Sequence, residues 1–313
     1  MSRNNFKNKA WNDYSSYIKS IFGYRVQKIS VNAGFSCPNR DGTKGTEGCI
    51  YCNNQSFSPF YCKPEIPIKE QLQKGIDFFG KKYKAQKYLA YFQTGTNTYA
   101  ELPTLEKHYT EALDVKGVIG LVIATRPDCI NNDILKLFSE IRKNHELTIE
   151  YGAESTNNNS LKLINRGHTW EDTVKAIDIT AEAGIKTGLH IILGLPGETE
   201  KDFYKHAEKI SKQAVNLLKI HQMQILKNTK SEKLFKESPE LFLDLTIDKY
   251  ADIIVKFCEL LNPEIIIERF TSESPRNILI SPDWRGKKNF EISHIIEKRF
   301  KETGTYQGKN YKK

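Results

Sequence analysis

Apolar residues along the chain form short runs of strand length that alternate with segments in which they recur at helical spacing. The short runs predict strands at residues 26–31, 88–92, 118–124, 148–151, 187–193 and 218–225. The segments between them carry apolar residues near positions i, i+3, i+4 and i+7, and they predict helices at 68–83, 105–113, 132–143, 169–183 and 200–214. Strands that alternate with helices are typical of βα units and of a parallel sheet.

Six such units are too few for the eight strands of a closed TIM barrel. The pattern therefore predicts an α/β fold, a partial (β/α)6 TIM-like barrel with a small C-terminal α/β extension. We expect a basic N-terminal segment at residues 1–23, the partial barrel at 24–228 and the extension, with a basic tail, at 229–313. Within the extension, helical spacing of apolar residues predicts helices at 243–261 and 291–301, and an apolar run predicts a strand at 264–270. The extension is expected either to close the open side of the barrel or to present a surface to a partner.

Positive charge is concentrated at the two ends of the chain. The formal net charge is +9, while residues 1–30 hold 6 basic and 1 acidic residues and residues 281–313 hold 9 basic and 4 acidic ones. Such ends suit a phosphate-rich partner that touches the tails, and they equally suit a solvated, solubilising tail. No apolar run approaches the roughly 18 residues of a membrane helix, and the polar start lacks the apolar region of a secretory signal. We therefore expect a cytoplasmic protein with no membrane segment.

Three of the six cysteines lie close together on the loop after the first predicted strand. Cys37 follows that strand, and Cys49 and Cys52 form a C-x-x-C pair in a polar, glycine-rich stretch. Three thiolates on one loop are able to hold three irons of a [4Fe–4S] cluster and leave the fourth iron open. A zinc site with Cys62 as fourth ligand is an alternative. A thioredoxin-like C-x-x-C is another, although it gives Cys37 no role.

The cysteine loop resembles that of the radical S-adenosylmethionine (SAM) superfamily. An aromatic residue, Tyr51, precedes the last cysteine, and Cys-Pro-Asn-Arg-Asp-Gly-Thr at 37–43 followed by the C-x-x-C pair is similar to the YhcC/YtqA-like group, which is related to the Elongator catalytic subunit. The resemblance covers residues 24–308. The commoner spacing in the superfamily has three residues between the first two cysteines, whereas this chain has eleven, and longer spacings occur in this subgroup.

The resemblance implies the cofactors and the general chemistry. Cys37, Cys49 and Cys52 would hold a [4Fe–4S] cluster, and SAM would bind its open iron. An electron from a donor such as flavodoxin or ferredoxin would then cleave SAM and yield a 5′-deoxyadenosyl radical that abstracts hydrogen from an unreactive carbon.

The resemblance also implies where SAM is held. The loop after the second strand usually takes the methionine amino group, and here it reads Thr94-Gly95-Thr96-Asn97. A carboxylate after the fourth strand suits the ribose hydroxyls, and an arginine suits the SAM carboxylate. Gly-Leu-Pro-Gly-Glu-Thr at 194–199 matches the strand that packs against adenine in this branch. Contacts to SAM are therefore expected from Tyr51, Thr94, Thr96, Asn97, Glu154, Ser155, Arg166, Ile192, Gly194 and Gln222.

Several polar residues near the predicted barrel mouth have two interpretations each. Arg126 and Asp128 follow the third strand and would either contact a substrate or form a structural ion pair. His190 points either into the barrel or to its outside. Cys62 and Cys129 are either quiet small apolar residues or thiols near the reaction centre.

The resemblance and the aromatic residues of the basic tail indicate the class of substrate. Kinship to the Elongator catalytic subunit, and Trp284, Tyr306 and Tyr311 among basic residues, favour RNA, because aromatic side chains stack on unpaired bases. The specific hypothesis is conversion of carboxymethylaminomethyl-uridine to aminomethyl-uridine at the wobble position of tRNA. The alternatives are a radical SAM enzyme that acts on a small molecule and a non-enzymatic zinc or Fe–S module that binds nucleic acid.

Overall fold

The computed structural model describes residues 9–53, 59–81 and 86–313. Residues 1–8 of the expected N-terminal segment lie outside them, as do residues 82 and 83 of the helix expected at 68–83. The strands are β1 Val26–Val31, β2 Lys87–Phe92, β3 Val118–Thr125, β4 Glu146–Glu154, β5 Lys186–Leu193, β6 Leu217–Gln222, β7 Ile225–Leu226, β8 Ile266–Arg269 and β9 Leu279–Ser281. The α-helices are α1 Tyr14–Phe22, α2 Ile68–Gly80, α3 Leu102–Leu113, α4 Asn132–Arg142, α5 Asn158–Leu163, α6 Trp170–Glu182, α7 Glu200–Ile210, α8 Lys230–Glu237, α9 Ile247–Leu260 and α10 Asn289–Thr303.

Seven parallel strands form the main sheet of the described residues, in the order β1-β2-β3-β4-β5-β6-β8. The six strands expected in the barrel are confirmed, and the strand expected at 264–270 joins the same sheet as β8. The curled sheet with helices packed on it is the partial TIM-like barrel that the sequence predicts. The domain boundary at 228/229 stays a prediction, while the sheet itself continues beyond it.

One predicted strand differs in the structure. The run at 218–225 is divided, because β6 ends at Gln222 and β7 pairs antiparallel with β9 in a separate two-stranded sheet. Met223 and Ile225 are buried in a small apolar cluster that is separate from the main core. The apolar pattern therefore continues across the break, and hydropathy alone does not reveal it.

The helices begin and end where local chemistry favours it. Helix α6 starts after Thr169, whose side chain and that of Asp172 form a reciprocal capping box. Helix α2 packs on β1 through Gly75, at which an added Cβ would lie 2.3 Å from Cγ2 of Ile29. Only glycine permits this close approach of helix and strand. The short helices α1, α5 and α8 were not predicted, since each offers few turns over which helical spacing is visible.

The N-terminal and C-terminal regions meet across the open side of the barrel. Helix α1 contacts both β1 and β8, and Asp13, at its N-cap, forms a bridge with Ile267 of β8. Inside the barrel, Nζ of Lys28 on β1 lies 2.5 Å from a carboxylate oxygen of Glu268 on β8. The extension therefore helps to close the barrel, which is the first of its two expected roles.

In the part of the chain that the structure describes, no helix has both the length and the apolar character needed to cross a membrane.

Candidate active site

A cavity of about 360 Å³ opens at the carboxyl ends of the barrel strands. This volume lies within the range of small-molecule sites, and the position is the one at which (β/α) barrels place their functional loops. Cys37, Cys49 and Cys52 all border it. Seven of the residues expected to contact SAM border it as well: Tyr51, Thr94, Thr96, Glu154, Arg166, Ile192 and Gln222.

The cysteine loop is held by the turn that follows α5. Nδ2 of Asn39 donates to the backbone oxygens of Asn165, at 2.8 Å, and Arg166, at 2.9 Å. In return, Nδ2 of Asn165 donates to the backbone oxygen of Gly48 at 2.8 Å. These bonds fix the loop at Asn39, two residues after Cys37, and at Gly48, directly before Cys49. The turn at 164–167 is thus a support for the cysteines, a role that the sequence did not reveal.

Two N–H donors lie beside the buried sulfur of Cys49. Nη1 of Arg166 and Nδ2 of Asn39 are each 3.7 Å from it. Hydrogen bonds to cysteine sulfurs stabilise bound Fe–S clusters and adjust their potentials. The described residues contain no group of three His, Cys, Asp or Glu side chains close enough together to hold a single metal ion, whereas a cubane cluster is wider and takes thiolates that stand further apart. Three thiols therefore border one cavity, and N–H donors lie beside one of them. These residues fit a [4Fe–4S] cluster.

Arg166 and Glu154 form a charged pair in the cavity wall. Their side chains approach to 3.5 Å, and Nη2 of Arg166 also donates to the backbone oxygen of Gly152 at 2.7 Å. Glu154 has a φ of 66°, a left-handed conformation that is rare outside glycine and marks a strained position at a functional site. Burial, followed by the nearby Glu154 carboxylate, raises the pKa of Tyr51 well above its usual value. Tyr51 therefore remains a neutral phenol beside this pair.

The loop after β2 packs directly on the cysteine loop. The backbone N–H of Thr96 donates to the backbone oxygen of Ser36 at 3.1 Å. Between Thr94 and Thr96, Gly95 has a φ of 85°, and a Cβ there would lie 2.4 Å from the backbone oxygen of Phe35. Glycine is required for this contact, which brings both threonines to the cavity.

Three expected cofactor contacts do not border the cavity. The side chain of Asn97 is buried and donates to the backbone oxygens of Phe92 and Ala124, so it ties β2 to β3. Ser155 is buried and donates to Glu198 at 2.6 Å. A Cβ on Gly194 would lie 2.8 Å from Leu245, which places this glycine at a packing contact. For these residues the structure shows structural contacts in place of a position in the cavity wall.

The ambiguous polar residues take definite positions. Arg126 is almost fully buried and forms two bonds of 2.9 Å to the carboxylate of Asp128, with a third to the backbone oxygen of Arg166. The ion pair is therefore structural, although Arg126 also borders the cavity. Burial raises the pKa of the thiols of Cys62 and Cys129 to about 12, so both stay protonated, and neither borders the cavity.

His190 points into the barrel. It borders the cavity, and its Nε2 lies 2.9 Å from the carboxylate of Glu150. Burial lowers the pKa of His190, while the Lys219 and Lys28 charges hold the pKa of Glu150 well below its usual value against the opposing effect of burial. A neutral imidazole therefore donates from Nε2 to an ionised carboxylate, and its Nδ1 is an acceptor.

Sequence reasoning missed a layer of buried charges below the cavity. Glu150 contacts both Lys28, at 2.8 Å, and Lys219, at 2.6 Å, and Glu268 contacts the same two lysines at 2.5 and 3.2 Å. Burial lowers the pKa of Lys219 to about 8 despite its two carboxylate partners. The available signal was a charged residue inside each of four largely apolar strands, such as Lys219 in Leu-Leu-Lys-Ile-His. Such residues are rare in a core unless they are paired.

The expected RNA-binding features of the tail are weaker in the structure. Trp284 is buried against Tyr250 and donates through Nε1 to the backbone oxygen of Leu245 at 2.7 Å, so the expectation that it stacks on a base is wrong. Because the Trp284 ring packs against α9, it is not available to a ligand. Arg299 pairs with carboxylates of Asp248 and Asp252, and other tail lysines also pair with acidic neighbours.

Comparisons with known proteins identify the family. Residues 39–210 match the radical SAM superfamily, and residues 215–302 match the radical SAM C-terminal domain. Protein MJ0486 of Methanocaldococcus jannaschii is 35% identical over 95% of this chain and 91% of its own length, and YtqA of Bacillus subtilis is 31% identical over 97% and 94%.

More distant relatives extend the comparison. A tRNA uridine(34) acetyltransferase of Methanocaldococcus infernus is 24% identical over 59% of this chain and 34% of its own length. The structure of archaeal Elp3 from the same organism superposes with a TM-score of 0.69 at 18% identity, over 90% of this chain and 64% of that one.

The chain belongs to the radical SAM superfamily and, within it, to the YhcC/YtqA group related to Elongator. It is an enzyme whose cofactors are a [4Fe–4S] cluster and SAM. Family membership sets aside the zinc site, the thioredoxin-like motif and the non-enzymatic nucleic-acid module.

Proposed function

We propose that this radical SAM enzyme modifies the C5 side chain of the wobble uridine of tRNA, converting carboxymethylaminomethyl-uridine to aminomethyl-uridine. The observation that carries the proposal is the sequence relationship to a tRNA uridine(34) acetyltransferase, which extends over 59% of this chain. The positive net charge of +9 supports it, because phosphate contacts favour basic partners. We infer a cytoplasmic location, where tRNA and a flavodoxin- or ferredoxin-like electron donor meet the enzyme.

Each cavity residue has a proposed role toward the cofactors. Cys37, Cys49 and Cys52 hold the cluster, and Asn39 and Arg166 stabilise the thiolate of Cys49 through N–H groups. When bound, the cluster and SAM would together supply a 5′-deoxyadenosyl radical, which removes a hydrogen atom from an unreactive carbon. In the proposed conversion this carbon is the methylene of the carboxymethyl group, and SAM is the two-electron oxidant. Water would cleave the resulting imine, so that the two-carbon unit leaves as glyoxylate while SAM leaves as methionine and 5′-deoxyadenosine.

The remaining roles concern the orientation of SAM. Arg166 binds its carboxylate, and Glu154 accepts hydrogen bonds from the ribose. Thr94 and Thr96 receive the amino group, and Ile192 and Gln222 border the adenine. Arg166 and Glu154 already form an ion pair at 3.5 Å, so both side chains are positioned before SAM enters.

Anaerobic reconstitution tests the role of the cysteines. We expect Cys49→Ser to lose the brown absorbance of the cluster and to release no 5′-deoxyadenosine from SAM upon reduction. Cys129→Ala is the matched control, because its thiol is protonated and lies outside the cavity wall; it retains both signals. A cluster of four irons in Cys49→Ser would contradict the assignment.

Nucleoside mass spectrometry of tRNA tests the substrate. A deletion strain is expected to accumulate carboxymethylaminomethyl-uridine and to lack aminomethyl-uridine, and expression of the wild-type chain should reverse the change, whereas Cys49→Ser should not. An unchanged nucleoside profile would refute the tRNA substrate.

A small-molecule substrate is the second candidate function. The buried position of Trp284 and the paired cations of helix α10 favour it, since they leave less of the tail available to RNA. The two candidates differ in salt dependence: turnover of an RNA substrate falls steeply with ionic strength, because phosphate contacts release counterions, while turnover of a small molecule changes little.

A further inference from the structure

Arg269 lies in the wall of the cavity at the end of β8, and its charge is not compensated. One of its nitrogens, Nη2, is 3.0 Å from Nε2 of His221. Its Nε is buried and has no hydrogen-bond partner among the described residues. Leaving a buried guanidinium N–H unpaired is costly, so the described residues do not compensate this side of the guanidinium. The Arg269 side chain also borders the cavity, where a ligand can reach it.

The partner of Arg269 supplies no negative charge. A guanidinium only donates, so Nε2 of His221 accepts, and the ring is neutral. Burial, followed by the Arg269 charge, lowers the pKa of His221 well below its usual value, in agreement with this tautomer. His190, which stacks on His221 at 5.5 Å, is neutral for a similar reason.

The acidic groups nearby are already bound by lysines. Glu150 and Glu268 are each contacted by both Lys28 and Lys219, so two carboxylates balance two ammonium groups. Arg126 and Arg166, the buried arginines elsewhere in the cavity wall, pair with Asp128 and Glu154. Arg269 forms no ion pair within the described part of the chain, so this layer carries one unbalanced positive charge.

We propose that Arg269 binds a carboxylate of the substrate in this cavity. One unbalanced positive charge matches the single negative charge of a carboxylate, and a guanidinium in the cavity wall suits its paired oxygens. A phosphate dianion would instead leave a negative charge unbalanced in a buried place. This inference deepens the proposed function and rests on it for the identity of the substrate, since the carboxymethylamino group of the uridine carries such a carboxylate. Arg269 is then the residue that distinguishes substrate from product, because aminomethyl-uridine lacks the group.

Binding measurements on the SAM-loaded holoenzyme with two pairs of probes test the proposal. The first pair is N-methylglycine, which is the carboxymethylaminomethyl side chain as a free molecule, and its primary amide, in which an uncharged group replaces the carboxylate. The second pair is an anticodon stem-loop RNA that carries carboxymethylaminomethyl-uridine and the same RNA with aminomethyl-uridine. We expect the wild type to favour the carboxylate of each pair by on the order of tenfold, the size of one charge-assisted hydrogen-bonded contact.

Substitution of the arginine separates the site from its surroundings. Arg269→Gln should abolish both preferences, so that the two probes of each pair bind about equally. Arg269→Lys, which retains the charge but not the planar guanidinium, should keep part of the preferences. Arg276→Gln is the matched control, because Arg276 is exposed and donates to a backbone oxygen outside the cavity wall; it keeps both preferences. Cluster absorbance and circular dichroism verify that each variant is folded.

The outcomes distinguish this inference from the proposed function. Four results would each overturn the carboxylate site. The first two are a preference that Arg269→Gln retains and a wild type that does not prefer N-methylglycine over its amide. The other two are stronger binding of inorganic phosphate than of N-methylglycine, and weaker SAM binding as the main effect of the substitution. A preference for N-methylglycine that Arg269→Gln abolishes, together with no binding of either RNA, supports the carboxylate site and refutes the tRNA substrate.

Discussion

Asp128 is held in its ionised form by two cations in the wall of the barrel. Burial by itself would raise its pKa, but hydrogen bonds from Arg126 and Lys44 lower the pKa to about 2. Because the folded-state pKa is depressed, this carboxylate stabilises the fold above its unfolded pKa near 4, and the stabilisation is lost as the pH falls from there through 2. The depression corresponds to about 2 kcal/mol.

Asp128→Asn should therefore lower the free energy of unfolding by about 2 kcal/mol at pH 7. Urea unfolding of the cluster-free protein, followed by circular dichroism at several pH values, measures the difference. The gap between wild type and variant should narrow as the pH is lowered below 4. A gap that is constant from pH 7 to pH 3 would show that the carboxylate charge is not the source of the stabilisation.

At the scale of elements, the contact of helix α2 with strand β1 depends on the absence of one side chain. Alanine ordinarily stabilises a helix relative to glycine by about 1 kcal/mol. At Gly75 the added methyl would lie 2.3 Å from Ile29, and overpacking of this kind costs about 1–3 kcal/mol. Gly75→Ala should thus destabilise the protein, as a lower urea midpoint shows.

Gly80 in the same helix offers the matched control. Among the residues that the structure describes, an added methyl there meets only the hydroxyl of Tyr88 at 3.7 Å, an ordinary contact distance. Gly80→Ala should leave the midpoint unchanged or raise it slightly. If both variants raised the midpoint, helix propensity and not the contact with β1 would dominate at Gly75.

At the scale of the whole molecule, the buried ion pairs connect strands that are far apart in the sheet. Lys28 on β1, Glu150 on β4, Lys219 on β6 and Glu268 on β8 contact one another inside the barrel. Removal of one member leaves the others buried without full compensation. Glu150→Gln should therefore lower the free energy of unfolding by about 3–5 kcal/mol.

Glu146 provides the comparison for this prediction, since it lies on the same strand but pairs with Lys186 near the surface. Glu146→Gln should cost less than about 1 kcal/mol. Chemical denaturation of the two variants side by side measures both effects. Equal losses in the two would mean that the buried network contributes no more than a surface ion pair.

The features that depend on near neighbours in the chain were predictable. Apolar runs placed β1 to β6, and the spacing of Cys37, Cys49 and Cys52 after β1 placed the thiols at the barrel mouth, because a parallel strand delivers its following loop to one edge of the sheet. The ends of the elements were not predicted as well: the helix predicted at 200–214 ends at Ile210. A helix ends where its capping and packing change, which hydropathy does not record.

The orientation of polar side chains could not be read in the same way. Asn97 and Ser155 lie on loops that pass the cavity, yet both side chains turn to buried partners. Which side of a loop faces a cavity depends on contacts with other elements, and those elements are distant in sequence. His190 shows the opposite case, since only the partner Glu150 on β4 explains why a histidine faces the barrel interior.

The amino-acid sequence by itself determined the partial barrel and the place of the three cysteines, because these follow from periodicity and spacing over a few dozen residues. It also indicated the family, through the resemblance of the cysteine loop to that of the radical SAM superfamily. The tertiary structure alone decided which polar groups meet. It brought β8 against β1 by curling the sheet, it assembled two carboxylates and two lysines from four strands, and it left Arg269 at the cavity without a counter-charge. Charge balance in a buried place is a property of several strands together, so no single stretch of sequence contains it.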